Sequence, residues 1–239
     1  MVHKCVLDKL REYDSATIAN VIELFDVRPR NQGFMRRAIK AAFPDLPPMV
    51  GFASTVTCRT YVPPVKGKTA TVPEVVKRFD DLSGPAVVVI QNLDSGGSAA
   101  MFGDVMCTSF RAFGAVGLVT NGPGRDLPQV APLKFPVFFD GLVCSHGYNH
   151  MLDIHVPIQV GGITVAPDDL LHGDGNGVTD IPRDIAEDVA DACAEFAAAE
   201  KVILDLGALS APSQADLRDA YREKARLVAE LAARVRQSR

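Results

Sequence analysis

The stretch that decides the fold is AVVVIQ at Ala86–Gln91, followed by GDVM at Gly103–Met106, AVGLV at Ala115–Val119 and NGPGRD at Asn121–Asp126. The first run is apolar without interruption, bounded by Gly84-Pro85 and by a turn at Asp94–Gly97, and reads as a buried strand. Residues 98–103 then lead into a helix, with Asp104 expected as its N-cap and Gly103 allowing the bend. That helix is expected to run to about Phe113 and to stop at Gly114. Ala115–Val119 reads as the next parallel strand, reached by a right-handed crossover. A strand–helix–strand unit of this kind makes the chain α/β.

In open parallel sheets, ligands collect beyond the carboxyl ends of the strands, where both turns of this unit fall. Asp104, Arg125 and Asp126 are therefore expected to converge on one pocket. The amides of Val105 and Met106 have no partner within a helix and sit at its positive end, a natural place for a carboxylate or phosphate. Carboxylates favour hard cations such as magnesium or manganese. Taken singly, a capping aspartate or a loop arginine is an ordinary structural feature, so spacing alone favours no metal.

Asp104, twenty intervening residues and then Arg125-Asp126 resemble the signature of the RraA-like family. That family contains the 4-hydroxy-4-methyl-2-oxoglutarate/4-carboxy-4-hydroxy-2-oxoadipate aldolases and the regulator of ribonuclease E activity A. The resemblance continues through GFASTVT at Gly51–Thr57, VPIQVGGITV at Val156–Val165 and LHGDGNGV at Leu171–Val178 with Ile181-Pro182, and covers about residues 12 to 207. It implies a three-layer β/β/α swivelling-domain architecture with C-terminal helices, assembled as a homotrimer or homohexamer with active sites between subunits. It further implies that Asp126 binds a divalent metal, Mg2+ or Mn2+, directly, that Asp104 holds it through water, and that Arg125 polarises the substrate. The substrate carboxylate would rest on Gly103, Val105 and Met106. A glutamate from a neighbouring subunit would complete the metal site; Glu200 is the best match, with Glu195 and Glu187 as competitors. Gln129 stands where aldolases of the family often carry an acid.

The expected function is a divalent-metal-dependent lyase that cleaves, by retro-aldol reaction, or decarboxylates a small 2-oxo acid carrying more than one carboxylate, releasing pyruvate. Either bond cleavage leaves an enolate, whose negative oxygen needs a cation. A Schiff-base lysine is the other solution, but no lysine lies between Lys77 and Lys134. Oxaloacetate decarboxylation passes through the same enolate, so one site can carry both reactions. The alternative from a different class is a non-enzymatic regulator that binds a protein such as ribonuclease E.

The 239 residues are 47% hydrophobic and 23% charged with net charge −4, which describes one substantial globular domain, placed at 1–210, with a helical extension at 211–239. No concentrated basic patch announces nucleic acid, and no run approaches the roughly 20 apolar residues of a membrane helix. Met1–Leu10 lacks the apolar core of a leader, so the cytoplasm is the expected compartment. Cys5, Cys58, Cys107, Cys144 and Cys193 form no close pair and read as reduced thiols. Cys107, in the first turn of the site helix, is assigned to packing because no histidine is near it in sequence. His146 and His150 share an i,i+4 spacing without the glutamate of a zinc motif, and are assigned structural or surface roles.

Elsewhere the pattern predicts helices at Thr17–Phe25 and Val72–Leu82, a strand at Gly51–Cys58 and a loop at Tyr61–Lys68. Short strands are expected at Pro136–Phe139, Val156–Val160 and Ile163–Val165. Leu171–Val178 lacks the glutamate of a calcium loop and the lysine of a phosphate loop, and reads as tight turns. A helix at Ile185–Leu206, ended by Gly207, precedes a second helix after Pro212-Ser213. Its stripe of Leu217, Tyr221, Val228, Leu231 and Val235 is expected to pack on the domain or on a neighbouring subunit.

Overall fold

The structure, a computed structural model, describes residues 2–67, 69–94 and 99–237. Ser95–Gly97 of the expected turn lie outside the described residues.

The centre is a run of parallel strands. β2 (Met49–Arg59), β3 (Ala86–Asn92), β4 (Gly117–Thr120) and β5 (Val137–Phe139) lie side by side, with β1 (Lys40–Ala41) antiparallel on the β5 edge. On the other side of β2, β9 (Leu170–Asp174) and β10 (Gly177–Ile181) pair antiparallel, giving the order β1-β5-β4-β3-β2-β9-β10. β6 (His150–Ile154) also pairs with β2, against its carboxyl end at Val56, Cys58 and Arg59. β7 (Ile158–Val160) and β8 (Ile163–Val165) form a separate hairpin.

Alternation along the strands sets the layers, since successive side chains point to opposite faces. Met49 and Ala53 of β2 and Val87 and Val89 of β3 join Ile158, Val160 and Val165 of the small hairpin in one buried cluster. The other face is covered by helices in two groups. Val50 and Phe52 pack with α1 (Lys4–Leu10), α2 (Ser15–Leu24), α6 (Ala186–Leu204) and the end of α7 (Gln214–Gln237). Val56, Val88 and Ile90 pack with α3 (Val72–Lys77), α4 (Asp104–Ala112) and α5 (Leu127–Val130). The expected β/β/α layering is the observed one, and α4 is the crossover between parallel β3 and β4. Among the described residues, no helix is long and apolar enough to cross a membrane.

Several local expectations are corrected. Leu171–Val178 is not a set of turns but most of the β9–β10 hairpin, in which Gly173 pairs with Val178 and Asp174 with Gly177. Two hydrogen-bond hubs explain why so glycine-rich a segment is ordered. Asp174 accepts from the Ser15 amide at 2.7 Å, the Ser15 hydroxyl at 2.6 Å and the Asn176 amide at 2.8 Å. His172, fully buried, donates from Nε2 to the carbonyls of Leu10 and Tyr13 at 3.1 and 3.0 Å. Together they fasten α1 and α2 to the sheet.

The N-terminal helix begins earlier, at Ser15, capped by Asp14, and α1 precedes it. Val72–Leu82 divides into α3 and a 3-10 turn at Arg78–Asp81. α6 ends at Leu204, and Gly207 lies inside a further 3-10 turn rather than at the helix end. In α7 only the carboxyl-terminal part of the stripe is buried: Leu231 and Val235 join the core, whereas Leu217 and Tyr221 are exposed.

Candidate active site

The site begins where the sequence placed it, at the carboxyl ends of β3 and β4. Thr120 ends β4, and the chain then runs through Gly122-Pro123-Gly124 beside the segment that enters α4. Phe102 and Gly124 form a parallel bridge, the Arg125 amide donates to the Phe102 carbonyl at 3.2 Å, and the Met101 amide donates to Pro123 at 2.8 Å. Gly124 has to be glycine for this approach, because a Cβ there would meet the Phe102 ring at 2.1 Å. Two segments far apart in a crossover connection are thereby zipped together.

The zipping carries Arg125 and Asp126 onto the mouth of α4. Asp126 has a left-handed backbone, φ 60°, a conformation that aspartate tolerates better than most residues, and its carbonyl accepts the first amide bonds of α5. A Cβ on Gly103 would lie 2.5 Å from Asp126 Oδ2, so the carboxylate rests directly on the Gly103 backbone. Arg125 Nε pairs with Asp126 Oδ2 at 3.2 Å, and its Nη1 donates to the Cys144 carbonyl at 3.4 Å. Asp104 is one residue further into the helix than expected: Gly103 is the N-cap and Asp104 the first helical residue. Its Oδ1 accepts from the Val105 amide at 2.8 Å, so in this arrangement Asp104 satisfies one of the two amides expected to receive a substrate carboxylate.

Gly103, Asp104, Val105, Met106 and Arg125 line a cavity of about 350 Å³. Its remaining polar wall was not recognised in the sequence: His146, Asn149 and His150 also face it. Of the histidine pair assigned structural or surface roles, His146 is exposed and His150 half-buried, and the turn that contains them is fastened to the site. The Tyr148 amide donates to the Thr60 carbonyl at 2.9 Å, and Asn149 Nδ2 donates to the Ala100 carbonyl at 2.6 Å. His150 starts β6, opposite Arg59 of β2, and its Nδ1 lies 2.6 Å from the Tyr148 carbonyl. A second hollow, of about 530 Å³, lies on the other side of Arg125 and Asp126 and includes Gln129 and Cys144.

Cys107 is buried, and burial foremost, with the negative charges of Asp104 and Asp126 behind it, pushes its thiol up to about 12. It is a packing residue, as expected. The same two charges acting on one thiol place both carboxylates around the first turn of α4. Both supply hard oxygen donors suited to Mg2+ or Mn2+. Among the described residues no group of three or more His, Cys, Asp or Glu side chains is gathered in metal-holding range, so a cation on Asp104 and Asp126 would need its other ligands from water or from outside the chain. Glu200 is not part of this cavity within the chain; it lies on α6 in an ion pair with Lys224 Nζ of α7 at 2.9 Å.

A family model described as RraA-like, Aldolase/RraA, matches residues 18–179. A protein of Halalkalibacterium halodurans named as a putative 4-hydroxy-4-methyl-2-oxoglutarate aldolase is 32% identical over 108 residues, 45% of this chain and 51% of that protein. Protein DlpA of Legionella pneumophila is 25% identical over 193 residues, 77% of this chain and 28% of its own length. The chain thus spans about half or less of these two relatives. Among solved structures, an uncharacterised protein from Pseudomonas syringae superposes with TM-score 0.72 at 23% identity, covering 92% of this chain and 94% of that one. RraAS2 of Streptomyces coelicolor, described as an unusual member of the RNase ES inhibitor RraA protein family, superposes with TM-score 0.67 at 20% identity, covering 84% and 96%. The shared fold, the matched residues and the Asp104, Arg125 and Asp126 constellation lead to one conclusion: the chain belongs to the RraA-like family.

Proposed function

We propose that the protein is a divalent-metal-dependent lyase that cleaves or decarboxylates a small 2-oxo acid bearing more than one carboxylate and releases pyruvate. The observation that carries this reading is the seating of Arg125-Asp126 against the Gly103-Asp104 entrance of α4: Arg125, Asp104 and the helix N-terminus line the 350 Å³ cavity, and Asp126, paired with Arg125 and resting on Gly103, lines the adjoining hollow that Arg125 shares. The names of the aldolase relatives support it.

The chain's residues divide the work. The positive end of α4, through the Met106 amide, suits the carboxylate next to the 2-oxo group. Arg125, always charged and a donor only, suits the 2-oxo oxygen as it gains negative charge when the neighbouring carbon–carbon bond breaks. Asp126 and Asp104 would hold the cation, which when bound supplies positive charge against that same oxygen. Phe102, Met106 and Met151 give the cavity an apolar wall, and this limits competing water. Gln129 lines the neighbouring hollow together with Arg125 and Asp126, and as a neutral side chain it adds no charged ligand beside Asp126. The cytoplasmic, homo-oligomeric and nucleic-acid-free character expected from the sequence belongs to the same reading.

The test is pyruvate release from oxaloacetate and from 4-hydroxy-4-methyl-2-oxoglutarate by metal-stripped protein, before and after addition of Mg2+ or Mn2+, with Asp126→Asn alongside. Asparagine tolerates the left-handed backbone of position 126 and removes only the charge. Metal-dependent turnover that disappears in the variant is the expected result. Folded protein that turns over neither compound with either metal would overturn the lyase reading and leave partner binding as the function to pursue.

A further inference from the structure

We infer that His150 is the proton-transfer residue of the cavity, an assignment that rests on the lyase reading and departs from the sequence-based expectation that Asp104 serves catalysis by orienting or deprotonating a metal-bound water. A carbonyl oxygen only accepts hydrogen bonds, so the 2.6 Å contact between His150 Nδ1 and the Tyr148 carbonyl puts the proton on Nδ1. The neutral ring then carries its lone pair on Nε2. The carbonyl that sets this tautomer is itself fixed. The Tyr148 amide is tied to Thr60, the Asn149 amide donates to His146 at 2.9 Å, and Asn149 Nδ2 is tied to Ala100 just upstream of Phe102 and Gly103. The ring is half-buried, starts a strand paired with β2, and shares its cavity with Arg125 and the first turn of α4.

Of the other ionisable groups nearby, Cys107 is buried with its thiol held near 12 and Arg125 has no lone pair to accept with. Asp104 has Oδ1 on the Val105 amide and is assigned to the cation by the same reading, so it would reach the substrate proton only through water. His146 lies exposed on the loop, and among the described residues nothing bonds its ring to set a tautomer.

For a 4-hydroxy-2-oxo diacid the step balances as follows. His150 Nε2 takes the proton of the C4 hydroxyl, the C4–O bond becomes a carbonyl, and the C3–C4 bond breaks with its electron pair passing into the C3–C2–O system. The imidazolium then returns the proton from Nε2 to C3, so two keto acids leave and the ring is neutral again. Oxaloacetate carries no hydroxyl proton to remove: its C3–C4 bond breaks with loss of carbon dioxide, and solvent can supply the proton that C3 needs.

The test is His150→Asn in the full chain supplemented with Mn2+, since the asparagine amide keeps a donor for the Tyr148 carbonyl while Nε2 is deleted. We expect kcat for 4-hydroxy-4-methyl-2-oxoglutarate cleavage to fall on the order of 10²-fold or more, with oxaloacetate decarboxylation within about threefold of the parent protein. His3→Gln, exposed ahead of α1 and outside the cavity lining, should leave both rates within the same threefold. Equal losses on both substrates would make His150 a residue that shapes the site, and unchanged rates on both would remove it from the chemistry; either result overturns the inference. Absence of turnover in the unsubstituted protein would instead overturn the lyase reading, and the inference with it, before any variant is measured.

Discussion

Two histidines, each associated with aspartates, occupy opposite kinds of surroundings in this molecule. His172 on β9 is fully buried, donates from Nε2 to two backbone carbonyls, and has Asp174 close by on the same strand with three hydrogen bonds of its own. His150 on β6 is half-buried, has one nitrogen pinned by the Tyr148 carbonyl, and shares a cavity with Asp104 and Arg125. The difference teaches that residue type does not separate structural from chemical groups. Each ring has one nitrogen bonded to backbone carbonyl; what separates them is that the nitrogen left over is enclosed in the core for His172, whereas His150 lines a cavity.

The comparison is broken most severely at the cavity. Asp126→Asn should lower turnover on the order of 10³-fold, equivalent to about 4 kcal/mol of barrier, while changing unfolding free energy by less than about 1 kcal/mol. Steady-state pyruvate release and urea unfolding on the same preparation check it. At the other pole, Asp174→Ala should cost about 3 kcal/mol of stability, because the amide and hydroxyl donors of buried Ser15 are left without their acceptor and the Asn176 amide in the exposed turn loses its own. Activity per folded molecule should be untouched, so a catalytic defect that persists at saturating stability would collapse the distinction between the two regions.

A smaller effect tests how tightly the cavity is assembled. Gly103→Ala would place a methyl 2.5 Å from Asp126 Oδ2, forcing the carboxylate off the α4 entrance. Turnover should drop about tenfold, with metal affinity falling in parallel and little loss of stability. Wild-type turnover in this variant would show that the position of Asp126 is immaterial.

The smallest effect is a pH dependence of stability at the structural pole. Burial holds the His172 ring below its ordinary value, against the opposing pull of Asp174, so the folded chain resists a proton that the unfolded chain accepts near pH ~6.5. The stability contributed by neutral His172 is therefore fully present above that pH and is lost as pH falls toward the folded value. Burial alone would raise Asp174, but the Ser15 and Asn176 hydrogen bonds outweigh it and lower the carboxyl, so its contribution is present above pH ~3.9 and disappears only in stronger acid. Urea unfolding at pH 8, 6 and 5, with His172→Gln expected to lose the dependence in that window, separates the two stages.

The β3, α4 and β4 unit was legible because each decision in it is local. An unbroken apolar run, a glycine at position 114 with φ +91° and a strand ending in a glycine-rich turn sufficed, and Asp104 was misplaced by only one helical position. The β9–β10 hairpin was not legible. Gly173, Gly175 and Gly177 signal turns, yet Gly173 is glycine because Phe138 of β5 occupies the space a Cβ would need, at 2.8 Å. Likewise, the α7 stripe is continuous in sequence but meets the core only in its carboxyl-terminal half, at Val228, Leu231 and Val235, while Leu217 and Tyr221 stay exposed.

By itself the sequence carried the α/β class, which depends on propensities within some forty consecutive residues, and the resemblance to the RraA-like family, which rests on motifs from Gly51 to Pro182 with Asp104, Arg125 and Asp126 among them. Only the tertiary structure decided that Asp126 rests on Gly103, that Glu200 is occupied by Lys224 within the chain, and that His150 and Asn149 belong to the cavity while His172 belongs to the core. The physical reason is that a side chain's role depends on the solvent and partners left to it, and these come from contacts such as Tyr148 with Thr60 and Asn149 with Ala100. Contacts at such separations leave no periodicity in the chain to be read.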